Sequence, residues 1–147
     1  AMLEKGTYLV PTLAAVNNIY INRNNGIPDF IVEKTIRVRE RHHQSIKMFY
    51  DAGGNIAMGT DAGTPFNIHG ENSQELKFMV ELGISNKDVL KFSTASAADL
   101  MGLADRGQIE EGFYADLLIV SGNPVEDISA VSNQENHLRV IKNGAPV

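Results

Sequence analysis

The stretch Ile56-Ala57-Met58-Gly59-Thr60-Asp61-Ala62-Gly63-Thr64-Pro65 decides how the rest of the chain is interpreted. Its first half is apolar, and its second half is a turn that contains glycine, proline and one carboxylate. The pattern predicts a buried strand over 56–60 that delivers Asp61 to its carboxyl end. Catalytic side chains of parallel α/β folds lie at that end of their strands. The competing interpretation is structural, because an Asp in a Thr-Asp-Ala-Gly turn often only forms the turn or caps a helix.

Strands and helices alternate on either side of this stretch. A long amphipathic helix is predicted over 29–52, because apolar side chains recur there at spacings of three or four residues. A β-branched, apolar run predicts a strand over 7–12. A strand, a crossover helix and a second strand form a βαβ unit, so the strands should be parallel, with helices packed outside them. The remaining helices are predicted over 14–22, 71–82 and 86–92, and a further helix should start at Ser96, before Leu100-Met101-Gly102.

Polar residues mark where some of these helices should begin. Ser85 followed by Asp88, and Ser96 followed by Asp99, have the spacing of a capping box. Glu75 should interact with the positive end of its own helix dipole, in the first turn of the helix 71–82. These assignments are structural and involve no catalysis.

Beyond residue 102 the composition changes to that of a small β structure. An apolar strand is predicted over 115–120, and a second over 137–142. The Asn143-Gly144 pair after it is a strong hairpin signal, because both residues tolerate the positive φ angles of a type I′ turn. The hairpin should return from Ala145. We therefore divide the chain into an α/β portion, 1–104, and a β portion, 105–147.

Composition excludes several classes of function. The formal net charge of -5 argues against a nucleic-acid or anionic-membrane surface, since neither attracts a net anion. The chain has no cysteine, so disulfides, a thiolate nucleophile and a Cys-based zinc site are impossible. No apolar run approaches the roughly 20 residues of a membrane span. A cytoplasmic location is the default expectation.

Few residues can join Asp61 in a site. Thr12 and Thr64 occupy equivalent positions after the two predicted strands and could line a pocket. His69 lies in the loop after Asp61, where it could face the same pocket or cap the next helix. The other three histidines are expected at a helix core or rim, on a helix surface and at a strand edge: His42, His43 and His137.

Four segments together resemble the carboxyl-terminal part of the amidohydrolase superfamily, nearest to its imidazolonepropionase-like branch, which includes Xaa-Pro dipeptidases. They are GTYLVPTL (6–13), IAMGTDAGTPFNIHGENSQEL (56–76), VLKFSTASAADLMGL (89–103) and RGQIEEGFYADLLIVSGNPVEDI (106–128). The resemblance implies an α/β fold: the last two βα units of a metal-dependent (β/α)8 TIM barrel plus part of a small β-sandwich. Residues 7–12 and 56–60 would be strands seven and eight.

The resemblance also implies a chemistry. Asp61 matches the strand-eight aspartate, which in family enzymes contacts the metal and shuttles the proton that activates the hydrolytic water. The implied cofactor is a divalent metal, with zinc expected as one or two ions. The implied activity is hydrolysis of carbon-nitrogen bonds in a small-molecule or dipeptide substrate, as in an Xaa-Pro dipeptidase. A cyclic-amide hydrolase or deaminase of the same fold is an alternative, as is a non-catalytic α/β interaction module.

The family's other metal ligands have no counterpart here. Its H-x-H pair of strand one, the lysine of strand four and the histidines of strands five and six are missing. Because two strands cannot close a barrel, the amino-terminal remainder of an enzyme or a second chain is expected to complete it. The isolated chain should be inactive, since one carboxylate cannot hold a catalytic metal.

Overall fold

Two extended segments form the centre of the α/β portion. The computed structural model describes all 147 residues, and in it a single parallel bridge joins Leu9 to Ile56. The Leu9 N–H donates to the Asn55 carbonyl (2.9 Å), and the Ala57 N–H donates to the Leu9 carbonyl (3.1 Å). The bridge confirms the parallel direction, but strands over the full ranges 7–12 and 56–60 do not form. Pro11 has no N–H with which to continue the ladder.

Six α-helices and one 3-10 helix surround and follow these segments. Helices α1, α2 and α4 confirm the predictions over 14–22, 29–52 and 86–92, whereas α3 begins three residues later than expected. The short helices near residue 130 were not predicted. The bounds are α1 Leu13–Ile21, α2 Asp29–Asp51, α3 Gln74–Glu81, α4 Asn86–Ser93, α5 Ala95–Leu100, α6 Ser129–Ser132 and the 3-10 helix Gln134–Asn136. No helix combines the length and the apolar character that a bilayer crossing requires.

The two predicted capping boxes have different outcomes. The Ser85 hydroxyl accepts the Asp88 N–H at 3.1 Å and so caps α4 as expected. The predicted start at Ser96 is wrong, because α5 already begins at Ala95 and Ser96 lies buried inside the helix. Thr94 flanks both helices, and its hydroxyl donates to a carbonyl of α4 (2.8 Å) instead of capping α5.

The hydrophobic core joins α1 to α4 around the Ile56 segment. Leu13, Ile46, Ile56, Met79 and Val89 are each at most 1% exposed. Each comes from a different element of the chain. Full burial of such a side chain stabilises the fold by roughly 1.5–3 kcal/mol. Packing therefore holds the two extended segments in place although they share only one bridge.

A carboxylate from α3 caps helix α1. Glu75 is 0% exposed, and its Oε1 and Oε2 atoms accept the backbone N–H groups of Leu13 (2.8 Å) and Ala14 (2.6 Å). The expectation that Glu75 serves its own helix dipole is wrong, because its side chain turns into the core toward the positive end of α1. Burial raises the pKa of Glu75 to about 7, while the two backbone hydrogen bonds act in the opposite direction.

The β portion is a three-stranded antiparallel sheet in the order β1-β2-β3. Its strands are β1 Leu117–Val120, β2 His137–Lys142 and β3 Ala145–Pro146. β1 pairs with β2, with Leu117 opposite Ile141. Positive φ angles at Asn143 (51°) and Gly144 (80°) confirm the predicted hairpin turn.

Asp116 links the loop before β1 to the hairpin through hydrogen bonds. Its carboxylate accepts hydrogen bonds from the Arg106 guanidinium (2.5 Å), the Lys142 ammonium (2.8 Å) and the Asn143 N–H (2.9 Å). These contacts, that with Lys142 foremost, lower the pKa of Asp116 to about 2. The carboxylate therefore stays ionised at all but strongly acidic pH.

Gly107 and Gly112 allow a matched test of packing between α5 and the following loop. Both have positive φ angles, 80° and 89°, but a Cβ at Gly107 would lie 2.7 Å from the Thr94 carbonyl oxygen, whereas one at Gly112 meets nothing within 4 Å. We expect Gly112→Ala to lower the free energy of unfolding by about 1–2 kcal/mol, the cost of the left-handed conformation. Gly107→Ala should lose at least about 1 kcal/mol more through the clash. Urea unfolding measures both, and equal losses would contradict this packing.

Glu75 should make stability depend on pH. Its pKa rises from an ordinary 4.5 to about 7 on folding, so the folded state holds this proton more tightly than the unfolded state. The contribution is complete below pH 4.5 and is lost as pH rises to about 7. The free energy of unfolding of the wild type minus that of Glu75→Gln should therefore fall over this window, by up to about 3 kcal/mol. Urea unfolding between pH 4 and 8 tests this, and a constant difference would contradict it.

Candidate active site

The two extended segments end in residues with the same unusual backbone conformation. Thr12 and Asp61 both lie in the left-handed region, with φ angles of 49° and 54°. Such a conformation costs a non-glycine residue on the order of 1–3 kcal/mol, and it concentrates at functional sites. Because the segments are parallel, both residues lie beyond the same edge of the Leu9–Ile56 bridge. The structure thus places Thr12 and Asp61 at the carboxyl ends of neighbouring segments, as expected.

Asn67 organises the loop that follows Asp61. It is 5% exposed, and its side-chain amide donates to the carbonyls of Thr60 (2.6 Å) and Asp61 (3.0 Å). The backbone closes the same turn, because the Gly63 N–H donates to the Asn67 carbonyl at 2.8 Å. Sequence reasoning missed Asn67. The available signal was an asparagine within a Gly and Pro turn, where its side chain commonly bonds nearby backbone.

Thr64 takes part in the same loop. Its hydroxyl donates to the Asp61 carbonyl (3.3 Å) and accepts from the Asn67 amide (3.2 Å). The hydroxyl therefore stabilises the backbone of Asp61 from inside the turn. Any contribution that Thr64 makes to a pocket wall comes in addition to this structural role.

His69 lies on the outside of the loop, near Asp61. Its side chain is exposed, and its Nε2 atom approaches Gly63 so closely that a Cβ there would lie 3.7 Å away. The alternative in which His69 caps the next helix is wrong, because α3 begins at Gln74 with Ser73 as its capping residue. The structure thus brings His69 to the loop that contains Asp61 and Thr64.

The histidines of α2 support the other segment. The His42 Nε2–H donates to the Pro11 carbonyl at 2.9 Å, and the His43 Nε2 lies 3.2 Å from the Asn17 Oδ1 atom. Burial lowers the pKa of His43 to about 4, and the charges of Arg39 and His42 act in the same direction. Both side chains are half-buried, so the expected surface position of His43 is wrong. Their partners are structural groups of α1 and of the segment before it.

The chain offers one carboxylate to a metal at this edge. Asp61 is exposed, and its carboxylate oxygens suit zinc and other divalent cations. No group of three His, Cys, Asp or Glu side chains that could hold an ion occurs in the structure. The donor type fits a metal, but a metal bound to Asp61 needs its remaining ligands from outside these 147 residues.

Two known proteins resemble this chain over 76% or more of its length. Ochratoxinase of Aspergillus niger is 29% identical over 146 residues, which are 97% of this chain and 30% of ochratoxinase. Adenine deaminase of Lactobacillus delbrueckii is 30% identical over 114 residues, which are 76% of this chain and 19% of the deaminase. The chain thus spans less than a third of the length of these relatives.

Solved structures of prolidases also resemble this chain over almost all of its length. A prolidase in complex with N-methylphosphonate-L-proline superposes with a TM-score of 0.88 at 28% identity, over 99% of this chain and 36% of that protein. A candidate prolidase from Bifidobacterium longum gives a TM-score of 0.86 at 31% identity, over 96% of this chain and 35% of that protein. The fold matches about the last third of an amidohydrolase barrel with its attached sheet.

The sequence profile of the amidohydrolase family matches residues 1–147, the whole chain. With the parallel segments, and with Asp61 at the carboxyl end of one of them, this match establishes the relationship: the chain belongs to the amidohydrolase family.

Proposed function

We propose that this chain is the carboxyl-terminal part of a metal-dependent amidohydrolase that cleaves a carbon-nitrogen bond in a small substrate. The observation that carries the proposal is the position of Asp61, exposed and left-handed at the end of a parallel segment, in a chain that matches the family throughout. A dipeptide ending in proline is the first candidate substrate, because two prolidase structures resemble the chain over at least 96% of its length.

Asp61 is the proposed proton carrier of the reaction. Its exposed carboxylate can accept a proton from the attacking water and return it to the nitrogen that leaves. The bond that breaks is the carbon-nitrogen bond, and the products are a carboxylic acid and an amine. A divalent metal, zinc in our proposal, would be held in part by Asp61 and would supply Lewis-acid polarisation of the substrate. Asn67 and Thr64 keep the Asp61 backbone in place while this happens.

Thr12, Thr64 and His69 are the proposed pocket residues. Thr12 ends the neighbouring segment, and His69 lies against the loop that contains Asp61 and Thr64. Hydroxyl and imidazole groups can both hydrogen-bond the carbonyl and carboxylate oxygens of a dipeptide. In this proposal residues 1–104 contribute barrel elements and residues 105–147 contribute strands of the attached sandwich.

Exposed apolar side chains support the need for a further part of the barrel. Val10 and Phe66 are 40% and 42% exposed, and Met48 on α2 is 72% exposed. Ile36 and Ile68 are also more than half exposed. Large exposed apolar patches mark interaction surfaces. We propose that the amino-terminal remainder of the enzyme, or a second chain, covers them, and that the isolated 147 residues are inactive.

The relatives support alternative reactions of the same site. Similarity to ochratoxinase and to adenine deaminase keeps other amide substrates and deamination as candidates. A cyclic-amide hydrolase fits the same proton chemistry. A non-catalytic interaction module would use the charged helix predicted over 29–52 as its docking face, and Asp61 would then be only a structural cap.

Asp61→Asn in the complete enzyme distinguishes catalysis from a structural role. Asn keeps the size of the side chain but cannot carry the proton, so we expect kcat to fall by at least about 100-fold. Circular dichroism and the urea midpoint should stay within error of the wild type. Asp29→Asn, an exposed change in the first turn of α2, is the control and should leave kcat unchanged. Unchanged turnover in Asp61→Asn would support the interaction module.

Metal removal tests the cofactor and a substrate panel tests the reaction. Dialysis against a chelator should abolish turnover in the complete enzyme, and zinc should restore it, because the metal completes the site.

The substrate panel contains dipeptides ending in proline, ochratoxin, cyclic amides and adenine. We expect hydrolysis of the proline dipeptides, and we expect the 147-residue chain alone to hydrolyse none of them. Full activity after metal removal, or in the isolated chain, would contradict the proposal.

A further inference from the structure

The start of α1 departs from the usual design of a helix capped by threonine. A threonine in the capping position normally has an extended backbone and accepts a helix N–H with its own hydroxyl. Thr12 holds this position in α1, but its φ is 49° and its side chain makes no capping hydrogen bond. The local residue best suited to cap the helix therefore does not cap it.

Glu75 makes the capping contacts instead. Its two carboxylate oxygens accept the N–H groups of Leu13 and Ala14, the first two residues of α1. The side chain is fully buried, and a buried carboxylate loses its hydration on folding. The hydroxyl of Thr12 could make a capping contact without burying a charge. Capping by Glu75 therefore costs the desolvation of a charged group, and the Thr12 hydroxyl makes no capping hydrogen bond.

We propose that Glu75 is a positioning residue that replaces Thr12 as the cap of α1 and thereby frees the Thr12 hydroxyl to bind a carbonyl or carboxylate oxygen of the substrate. This inference rests on the proposed function of the Asp61 site. Glu75 touches no reacting atom in this scheme and acts only through the backbone that follows Thr12. Thr12 contacts the substrate, from the end of the segment that neighbours Asp61.

Three features of the structure favour a binding role for Thr12. Its side chain is only half-buried, so it can reach a ligand. Its left-handed backbone turns the chain beyond the same edge of the bridge as Asp61. The positive end of α1 is already occupied by Glu75, so a substrate oxygen would meet the hydroxyl and not the helix N–H groups. A hydroxyl that donates one hydrogen bond to a substrate oxygen fits these features.

The test uses Thr12→Val in the complete enzyme, because valine has the shape of threonine without its hydroxyl. Loss of one hydrogen bond to the substrate should raise KM by about ten-fold and leave kcat nearly unchanged. The urea midpoint should stay the same, because the hydroxyl caps nothing. Thr12→Ser should restore the wild-type KM. Thr7→Val, an exposed change five residues before Thr12, is the matched control.

A double-mutant cycle then tests the link to Glu75. Glu75→Gln replaces one accepting oxygen with an NH2 group that faces a backbone donor, so the start of α1 should loosen and KM should rise. If Glu75 acts through Thr12, the double variant should bind substrate no more weakly than Thr12→Val alone. Hydrogen exchange should be faster at Leu13 and Ala14 in Glu75→Gln, and unchanged in Thr12→Val. Glu81→Gln, an exposed change on the same helix, is the control.

The outcomes separate this inference from the proposed function. An unchanged KM in Thr12→Val, or a lowered urea midpoint in that variant, would overturn the role of Thr12. Additive effects on KM in the double variant would overturn the positioning role of Glu75. Asp61→Asn that keeps its turnover would overturn the proposed function, whereas loss of turnover in that variant with an unchanged KM in Thr12→Val would overturn only this inference.

Discussion

The contact between the Glu75 carboxylate and the first two N–H groups of α1 is the interaction on which the rest of the structure depends. It joins residues 62 and 61 positions apart in the chain, and so fixes where the first segment ends relative to α3. The core around Ile56, Met79 and Val89 packs the same elements together but does not specify the direction of α1. Hydrogen bonds do, because their geometry is narrow. One carboxylate thus converts a nonspecific apolar contact into a defined arrangement.

The candidate site is built differently on its two sides. On the Asp61 side the loop is held by local contacts, mostly those of Asn67 within six residues of Asp61. On the Thr12 side the backbone is held from a distance, by Glu75 of α3 and by His42 of α2 through the Pro11 carbonyl. Left-handed residues at both ends require such support, since their conformation is unfavourable by itself. The site therefore depends on α2 and α3 being in place as well as on its own loops.

Sequence patterns predicted those features that depend on neighbours along the chain. The spacing of apolar residues gave α2, Ser85 and Asp88 gave the start of α4, and Asn143-Gly144 gave the hairpin. The position of Asp61 after an apolar run also follows from local sequence. The motifs shared with amidohydrolases predicted the fold of the whole chain. The two short extended segments alone, joined by one bridge, would not have predicted it.

Sequence patterns could not predict features that depend on tertiary contacts. Glu75 has the spacing of an ordinary first-turn acid, and only the packing of α3 against α1 shows that it serves another helix. Ser96 and Asp99 have the same capping spacing as Ser85 and Asp88, yet α5 begins directly after the residue that ends α4, so Ser96 lies inside the helix and does not cap it. Asn67 depends on the path of a loop, which periodicity does not describe. In each case the local sequence pattern allowed two interpretations, and only the three-dimensional packing distinguished them.

Asp116 and Glu75 give the two portions of the chain opposite responses to acid. With a pKa of about 2, Asp116 holds Arg106 and Lys142 at neutral and moderately acidic pH, and releases them only when it is protonated in strong acid. Glu75 is buried more favourably as an acid than as an anion, so mild acid raises the stability of the folded state relative to the unfolded state. A drop from neutral to mildly acidic pH would therefore raise the overall free energy of unfolding, but it would also turn one Glu75 oxygen into a hydroxyl and so weaken the hydrogen bonds at the start of α1, while the sheet would stay unaffected.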